Sequence, residues 1–196
     1  VGPPATTPSA GEAQRLKLRP LAAADLPDLL EVNGDPEVTR FLPYETWQSL
    51  ADAEAWLVRM ETMAASGTGQ VLVLERRSDA KVIGDLLLFK YDEGSRRIEL
   101  GYVLGRVHWG KGLMREAITA ACACAFDELG IRRIEAEVNP ENLASCALLL
   151  KVGFALEGRL RKRWEAHGNA YDTNIYGWLA EDRLAAGAGR PGSDHG

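Results

Sequence analysis

Residues 98–126 constrain what this chain folds into more than any other stretch. They begin Ile-Glu-Leu-Gly-Tyr-Val-Leu-Gly-Arg-Val-His-Trp-Gly-Lys-Gly-Leu-Met-Arg-Glu-Ala and continue as an alanine-rich run. Ile98, Leu100, Tyr102 and Leu104 alternate with the other face, the period of a half-buried strand. Beyond the glycines the period changes. Leu113, Ala117, Ile118, Ala121, Ala125 and Leu129 recur every three or four residues, as on one face of an amphipathic helix. The strand hands over to the helix through Trp109-Gly110-Lys111-Gly112. Without Cβ atoms, Gly110 and Gly112 let the backbone turn sharply and come close to a ligand. The first-turn amides of the helix lack intrahelical acceptors, a setting that suits phosphate oxygens.

The loop lacks the Gly-Lys-Ser/Thr ending of a nucleotide P-loop, which supplies a magnesium ligand. It also lacks the third glycine and the later acidic residue of a dinucleotide fingerprint. A metal-free pyrophosphate is the remaining candidate. Here the residues resemble the GNAT acetyltransferase superfamily, whose acetyl-CoA loop reads Gln/Arg-x-x-Gly-x-Gly/Ala at such a junction; Val107 stands where that family favours Gln or Arg. A second segment, Asn139-Pro140-Glu141-Asn142-Leu143-Ala144-Ser145 followed by Lys151-Val152-Gly153-Phe154, is similar to the Asn-x-x-Asn-x-x-Ser and Lys-x-Gly-Phe signature of the RimJ/RimL-type branch, the ribosomal-protein alanine N-acetyltransferases. Glu157-Gly158, Tyr171-Asp172 and Tyr176 extend the resemblance to residues 16–179.

The rest of the chain fits one domain. At 196 residues, with 46% hydrophobic and 26% charged residues, it is long enough for one substantial core and has ordinary globular composition. A net charge of -5 argues against direct nucleic-acid binding through a broad basic surface and is compatible with a cationic acceptor. No apolar run reaches the roughly 18 residues of a membrane span, and no basic segment followed by an apolar core opens the chain, so a cytoplasmic protein without membrane association is expected. Cys122, Cys124 and Cys146 lie in helical patterns without paired ligand histidines, so they read as packing residues; neither a metal site nor a disulfide framework is expected.

Residues 1–14 and 183–196 lack periodicity and read as disordered tails. Between them, Leu16 and Leu18 suggest a first strand, and Asp25 with Pro27 a helix N-terminus ending at Asn33-Gly34. Residues 36–46 show no clear period, and Ala53, Trp56, Leu57, Met60 and Met63 make a helical stripe. Strands follow at residues 70–76 and 81–91, then at 134–138, and last at 155–165 and 171–180, the final pair joined by a turn at His167-Gly168-Asn169. A helix over Leu143–Val152 ends at Gly153. The expected fold is α/β (α+β): a mixed, mostly antiparallel twisted sheet flanked by about four helices. The resemblance implies a single GNAT domain over residues 15–182, splayed at its central parallel pair, with residues 36–46 helping to form the acceptor pocket.

The resemblance also implies a reaction. Acetyl-CoA is the acetyl donor and cosubstrate, and no metal is involved. Its pantetheine arm lies between the splayed strands, bonded to the main chain of Tyr102, Val103 and Leu104; Trp109, Gly110, Lys111, Gly112, Leu113 and Met114 hold the diphosphate, and Asn139 and Asn142 line the site. Ser145 aligns with the serine assigned as the acid for the leaving thiolate, although a helix-capping serine remains open. Glu165, six residues before Tyr171, aligns with the glutamate that receives the amine proton through water, and Glu99 on the organising strand is its rival. No residue pattern points to a covalent acetyl-enzyme.

An α-amino group titrates about 2.5 pH units below a lysine or polyamine amine, which removes about 3.5 kcal/mol of deprotonation cost. A peptide or protein N-terminus is therefore the easier acceptor, with small amines such as a polyamine, an aminoglycoside or an amino-acid derivative as the alternative. A non-catalytic acyl-CoA sensor is the reading from another class, and homodimers are a family habit. Arg159, Arg161, Lys162 and Arg163 read as a solvated strand edge or as contacts for the CoA 3′-phosphate or an acidic partner surface. His108 and Trp109 read as loop packing, Lys111 as solvent-facing or pyrophosphate-facing, and His167 as a turn residue without a catalytic role.

Overall fold

The computed structural model describes residues 13–166 and 168–183, so His167 and the outer parts of both expected tails lie outside the described residues. Ala13, placed in the N-terminal tail by its sequence, is buried against the core, and Arg183 binds Asp127 at 2.5 Å. Among the described residues seven strands form one sheet: β1 (Leu16–Pro20), β2 (Gln70–Arg76), β3 (Val82–Asp92), β4 (Arg97–Leu104), β5 (Arg133–Val138), β6 (Ala155–Ala166) and β7 (Asn169–Leu179). Their order is β1-β2-β3-β4-β5-β7-β6. Every neighbouring pair is antiparallel except β4 and β5.

The helices are α1 (Leu26–Asn33), α2 (Pro36–Thr39), α3 (Leu50–Ala65), α4 (Leu113–Asp127) and α5 (Leu143–Val152). The single turn α2 is an element the sequence pattern did not show. Pro36 presets its first residue, and the Asp35 carboxylate accepts the Glu37 amide at 3.0 Å. Asp25 does precede α1 as expected, yet its carboxylate takes Arg19 at 2.7 and 2.8 Å instead of capping the helix.

Pleat alternation divides the core between the two sheet faces. On one face Ile98, Leu100 and Leu104 of β4 join Leu86 and Leu88 of β3 and Ile134 and Ala136 of β5 beneath α4. The alanines of α4 let it approach closely: Ala117, Ile118, Cys122 and Ala125 are 0% exposed. Burying a side chain such as Ile118 contributes roughly 1.5–3 kcal/mol. On the other face Val71, Val73 and Val82 pack under α1 and α3 with Trp47, Ala53 and Trp56, and Val103 meets Val32 and Val38. Leu57, Met60 and Met63 lie half-buried along this second cluster, so the helical stripe is core.

The parallel pair is short. β4 and β5 are in register only at Arg97 with Arg133, Ile98 with Ile134 and Glu99 with Glu135. Beyond these, β4 runs on to Leu104 beside β3, and β5 runs on to Val138 beside β7. The sheet opens between them at its centre.

Candidate active site

The opening is lined first by main chain. Gly105 donates its amide to Ile83 on β3 at 2.9 Å, whereas the Arg96 carbonyl accepts Arg132 from the β5 side at 2.8 Å. In an antiparallel ladder the direction of the peptide groups alternates, so Leu100, Tyr102 and Leu104 turn theirs towards the gap. Val103, between them, pairs with Asp85 and turns its groups to β3. Of the three residues expected to supply main-chain bonds, Tyr102 and Leu104 are thus oriented for it and Val103 is not. The Leu104 carbonyl already accepts the indole N–H of Trp109 at 2.7 Å, which anchors the loop to the end of β4.

That loop has the expected conformation. Gly110 and Gly112 have φ of 71° and 75°, where a Cβ is unfavourable, and Gly112 stands at the N-cap of α4 without a side-chain cap. The amides of Leu113 and Met114 therefore sit in the uncapped first turn, ready for an anion. Arg15, which sequence reasoning missed, also reaches the loop. Its Nε donates to Glu116 Oε2 at 2.8 Å and its Nη1 to the Lys111 carbonyl at 2.9 Å. It brings positive charge to the glycines and neutralises the one acidic residue of the first turn of α4.

The second motif delivers Ser145. The Asn142 side chain accepts the Ser145 amide at 3.2 Å, so the cap of α5 is Asn142, and the Ser145 hydroxyl is left for other work. It meets the Tyr102 hydroxyl at 2.5 Å across the opening. Tyr102, expected only for its main chain, thus contributes its phenol as well. Burial pushes the phenol pKa up, so the group keeps its proton throughout the neutral range. Asn139, expected beside the ligand, uses its side-chain oxygen to accept the Glu141 amide at 2.9 Å and shapes the turn before α5.

The two glutamates differ in setting. Glu99 is 6% exposed and accepts Lys90 Nζ at 2.7 Å. Burial raises its pKa, with the Lys90 hydrogen bond pulling the other way. It lies on the face of β4 opposite to Tyr102. Lys90 stands over the Phe89 and Trp164 rings, and Trp164 donates to Glu137 at 2.7 Å, so the end of β6 folds over this carboxylate. Glu165, the next residue, pairs with Ala170 at the tip of the β6–β7 hairpin and is exposed. The structure brings Tyr102 and Ser145 together on one face of β4, places Glu99 on the other face at the last rung shared with β5, and leaves Glu165 exposed on the edge strand.

The basic run lies on that exposed edge. Arg159 pairs with Asp172 at 3.0 Å and Arg163 with Glu137 at 3.4 Å. Asp172, of the Tyr-Asp pair, also accepts the Lys162 amide at 3.0 Å. Burial lowers the pKa of His108 beside the loop, and burial raises that of Cys122 in the core. Among the described residues no group of three or more acidic, histidine or cysteine side chains is placed to hold a metal ion, and no helix is long and apolar enough to cross a membrane.

Comparison with known proteins agrees with this geometry. Residues 15–155 match the acetyltransferase (GNAT) domain family. The uncharacterized N-acetyltransferase YoaA of Bacillus subtilis is 33% identical over 84% of this chain and 93% of its own length. The uncharacterized N-acetyltransferase p20 of Bacillus licheniformis is 31% identical over 86% and 95%. Spermidine N(1)-acetyltransferase of Escherichia coli (strain K12) is 26% identical over 80% and 81%. Two solved structures share the fold. RimL, a ribosomal L7/L12 α-N-protein acetyltransferase in complex with coenzyme A, superposes with a TM-score of 0.78 at 19% identity over 86% of this chain and 96% of that one. Spermidine N-acetyltransferase from Vibrio cholerae in complex with CoA and spermine does so with 0.76 at 24% identity over 87% and 98%. With a strand-to-helix glycine loop, a sheet parted beside it and this family match, the chain belongs to the GNAT superfamily and is an acetyl-CoA-dependent N-acetyltransferase.

Proposed function

We propose that the enzyme acetylates a primary amine by direct attack within a ternary complex, that its acceptor is a peptide or protein N-terminal α-amino group, and that Glu99 is the base. The observation that carries this reading is the placement of a buried carboxylate and a hydroxyl pair on opposite faces of β4, where β4 and β5 part. The thioester enters the opening along Tyr102 and Leu104, with its diphosphate on the amides of residues 112–114. An amine approaching from the α1–α3 face meets Glu99, which accepts its proton. The nitrogen attacks the thioester carbonyl, and the collapsing tetrahedral adduct expels the thiolate. Ser145 protonates the sulfur, its oxygen held by the Tyr102 hydroxyl. A thiol of pKa about 8.5 leaves readily, so the acid is asked for less than the base.

Burial raises the pKa of Glu99 towards the range in which a carboxylate acts as a base near neutrality, and this supports it as the base. The lower deprotonation cost of an α-amino group, and the fold shared with RimL, support a peptide acceptor. A small polyamine is the second reading, favoured by the spermidine acetyltransferase among the relatives and by the carboxylates on the acceptor face.

Thiol release from acetyl-CoA in the presence of an Ala-peptide and a panel of amines tests the proposal. Glu99→Gln should lose about 10²–10⁴ in kcat together with the acid limb of the pH profile, while Glu165→Gln keeps both. An unchanged profile in Glu99→Gln would remove Glu99 from the mechanism; loss of the limb in Glu165→Gln would install Glu165 instead.

A further inference from the structure

Asp85 has no role in the chemistry above, and its environment calls for one. It lies within β3, is 6% exposed, and makes no hydrogen bond or ion pair among the described residues, so its carboxylate oxygens keep some contact with solvent. Its strand neighbours in register are Val73 and Val103. The Tyr44 hydroxyl, which feels the Asp85 charge, donates its proton to Asn33 Oδ1 at 2.9 Å instead. A largely buried carboxylate without a protein donor either gives up its charge or takes a cation from outside the chain.

The register places that charge relative to the reaction. Asp85 lies opposite Val103, Leu87 opposite Gly101, and Phe89 opposite Glu99. Asp85 and Glu99 therefore share one face of the sheet, separated along β4 by four residues, or about 13 Å. Half-buried Leu87 and Gly101 floor the interval between them. A Cβ at Gly101 would meet only the Phe89 ring at 3.6 Å and Leu87 at 3.8 Å, so the strip is apolar. An acidic group stands at each end of it.

We infer that Asp85 is a specificity-determining residue that binds a second cation of the acceptor, about 10 Å beyond the amine that Glu99 deprotonates. The inference rests on the proposed function in taking Glu99 as the reacting end. Alkyl chain lies over Leu87 and Gly101, and the distal ammonium or guanidinium supplies the donors that Asp85 lacks. Two sources present this chemistry: the far amine of a long polyamine, or a Lys or Arg three to four residues into a peptide, since an extended chain spans about 3.3–3.6 Å per residue. Burial pushes the Asp85 pKa up to about 7, and a bound cation would restore its ionised form.

The test uses the full chain with acetyl-CoA. Acetylation of 1,8-diaminooctane is compared with that of octylamine, and acetylation of Ala-Ala-Ala-Lys amide with its norleucine analogue, in the wild type and in Asp85→Asn. In the wild type kcat/KM should favour the dicationic member of the pair by tenfold or more, and in Asp85→Asn the ratio should fall to within twofold. The arm that shows the preference names the source. Binding of each compound to the CoA-loaded protein is followed in parallel by calorimetry. Binding that weakens tenfold in Asp85→Asn without turnover would sink the proposed acceptor class with Glu99 as its reacting end and leave the cation site standing. Turnover with the same ratio in both proteins, or no preference in the wild type, would overturn the site.

Discussion

Asp85 also makes a prediction about the free protein that needs no substrate. Its pKa is raised from 3.8 to about 7 by burial alone, a gap of about 3 units. At 1.36 kcal/mol per unit, ionised Asp85 withholds about 4 kcal/mol from the fold relative to its protonated form. The sign follows from the direction of the shift. Between about pH 4 and pH 7 the folded protein holds a proton that the unfolded chain has released, so this group's contribution is fully present near pH 4 and is lost as pH rises through 7. Asp85→Asn cannot titrate. Its amide carries a burial cost of its own, of roughly 1–3 kcal/mol, but that cost is the same at every pH. Urea unfolding of both proteins at pH 4, 5, 6, 7 and 8, followed by far-ultraviolet circular dichroism, isolates the difference. The variant should gain on the wild type by up to about 4 kcal/mol between pH 4 and pH 8, most of it before pH 7. Parallel stability curves would show that Asp85 titrates normally and would refute the account of its burial.

Two further outcomes follow from the geometry. Tyr102→Phe and Ser145→Ala should both lower kcat, because each breaks the hydroxyl pair, with KM for acetyl-CoA little changed; in the double variant the losses should fall short of their product, since the two groups act as one unit, and full additivity in steady-state kinetics would separate their roles. Gly84→Ala should destabilise by at least about 1–3 kcal/mol in chemical denaturation, because the new Cβ would stand 2.2 Å from the Val103 carbonyl oxygen and force β3 away from β4; wild-type stability in that variant would contradict the close register of the two strands.

Much of the fold was legible because its periods are strong. The alternation at Ile98, Leu100, Tyr102 and Leu104, the change to helical spacing after Gly112, and the Gly153 terminus of α5 all correspond to elements of the structure. The single turn α2 was not legible, since four residues are too few to show a period and only Asp35 and Pro36 mark it. Within the site, the local pieces could be read and the distant ones could not. Ser145 was visible from its motif, but that Asn142 takes the capping role depends on side-chain geometry. The Tyr102 phenol is 43 positions from Ser145, Arg15 is 101 positions from Glu116, and nothing in a linear pattern marks either approach. Choosing between Glu165 and Glu99 requires burial, which depends on how the β6–β7 hairpin and Lys90 fold around one and away from the other. Asp85 hides in the apolar first half of β3, where one acidic letter reads as an ordinary surface position.

The shortness of the β4–β5 ladder has a mechanical consequence. Strands β1 to β4 form one panel, β5 to β7 another, and three residue pairs rivet them together along the sheet. On the proposed binding mode, a thioester threaded through the seam would stand in for the absent rungs as a temporary structural member, clamped by peptide groups on β4. The short ladder is a line of weakness across the middle of the sheet; a donor bound in that way would make it closer to one continuous plate and would itself supply the stiffness the reaction needs.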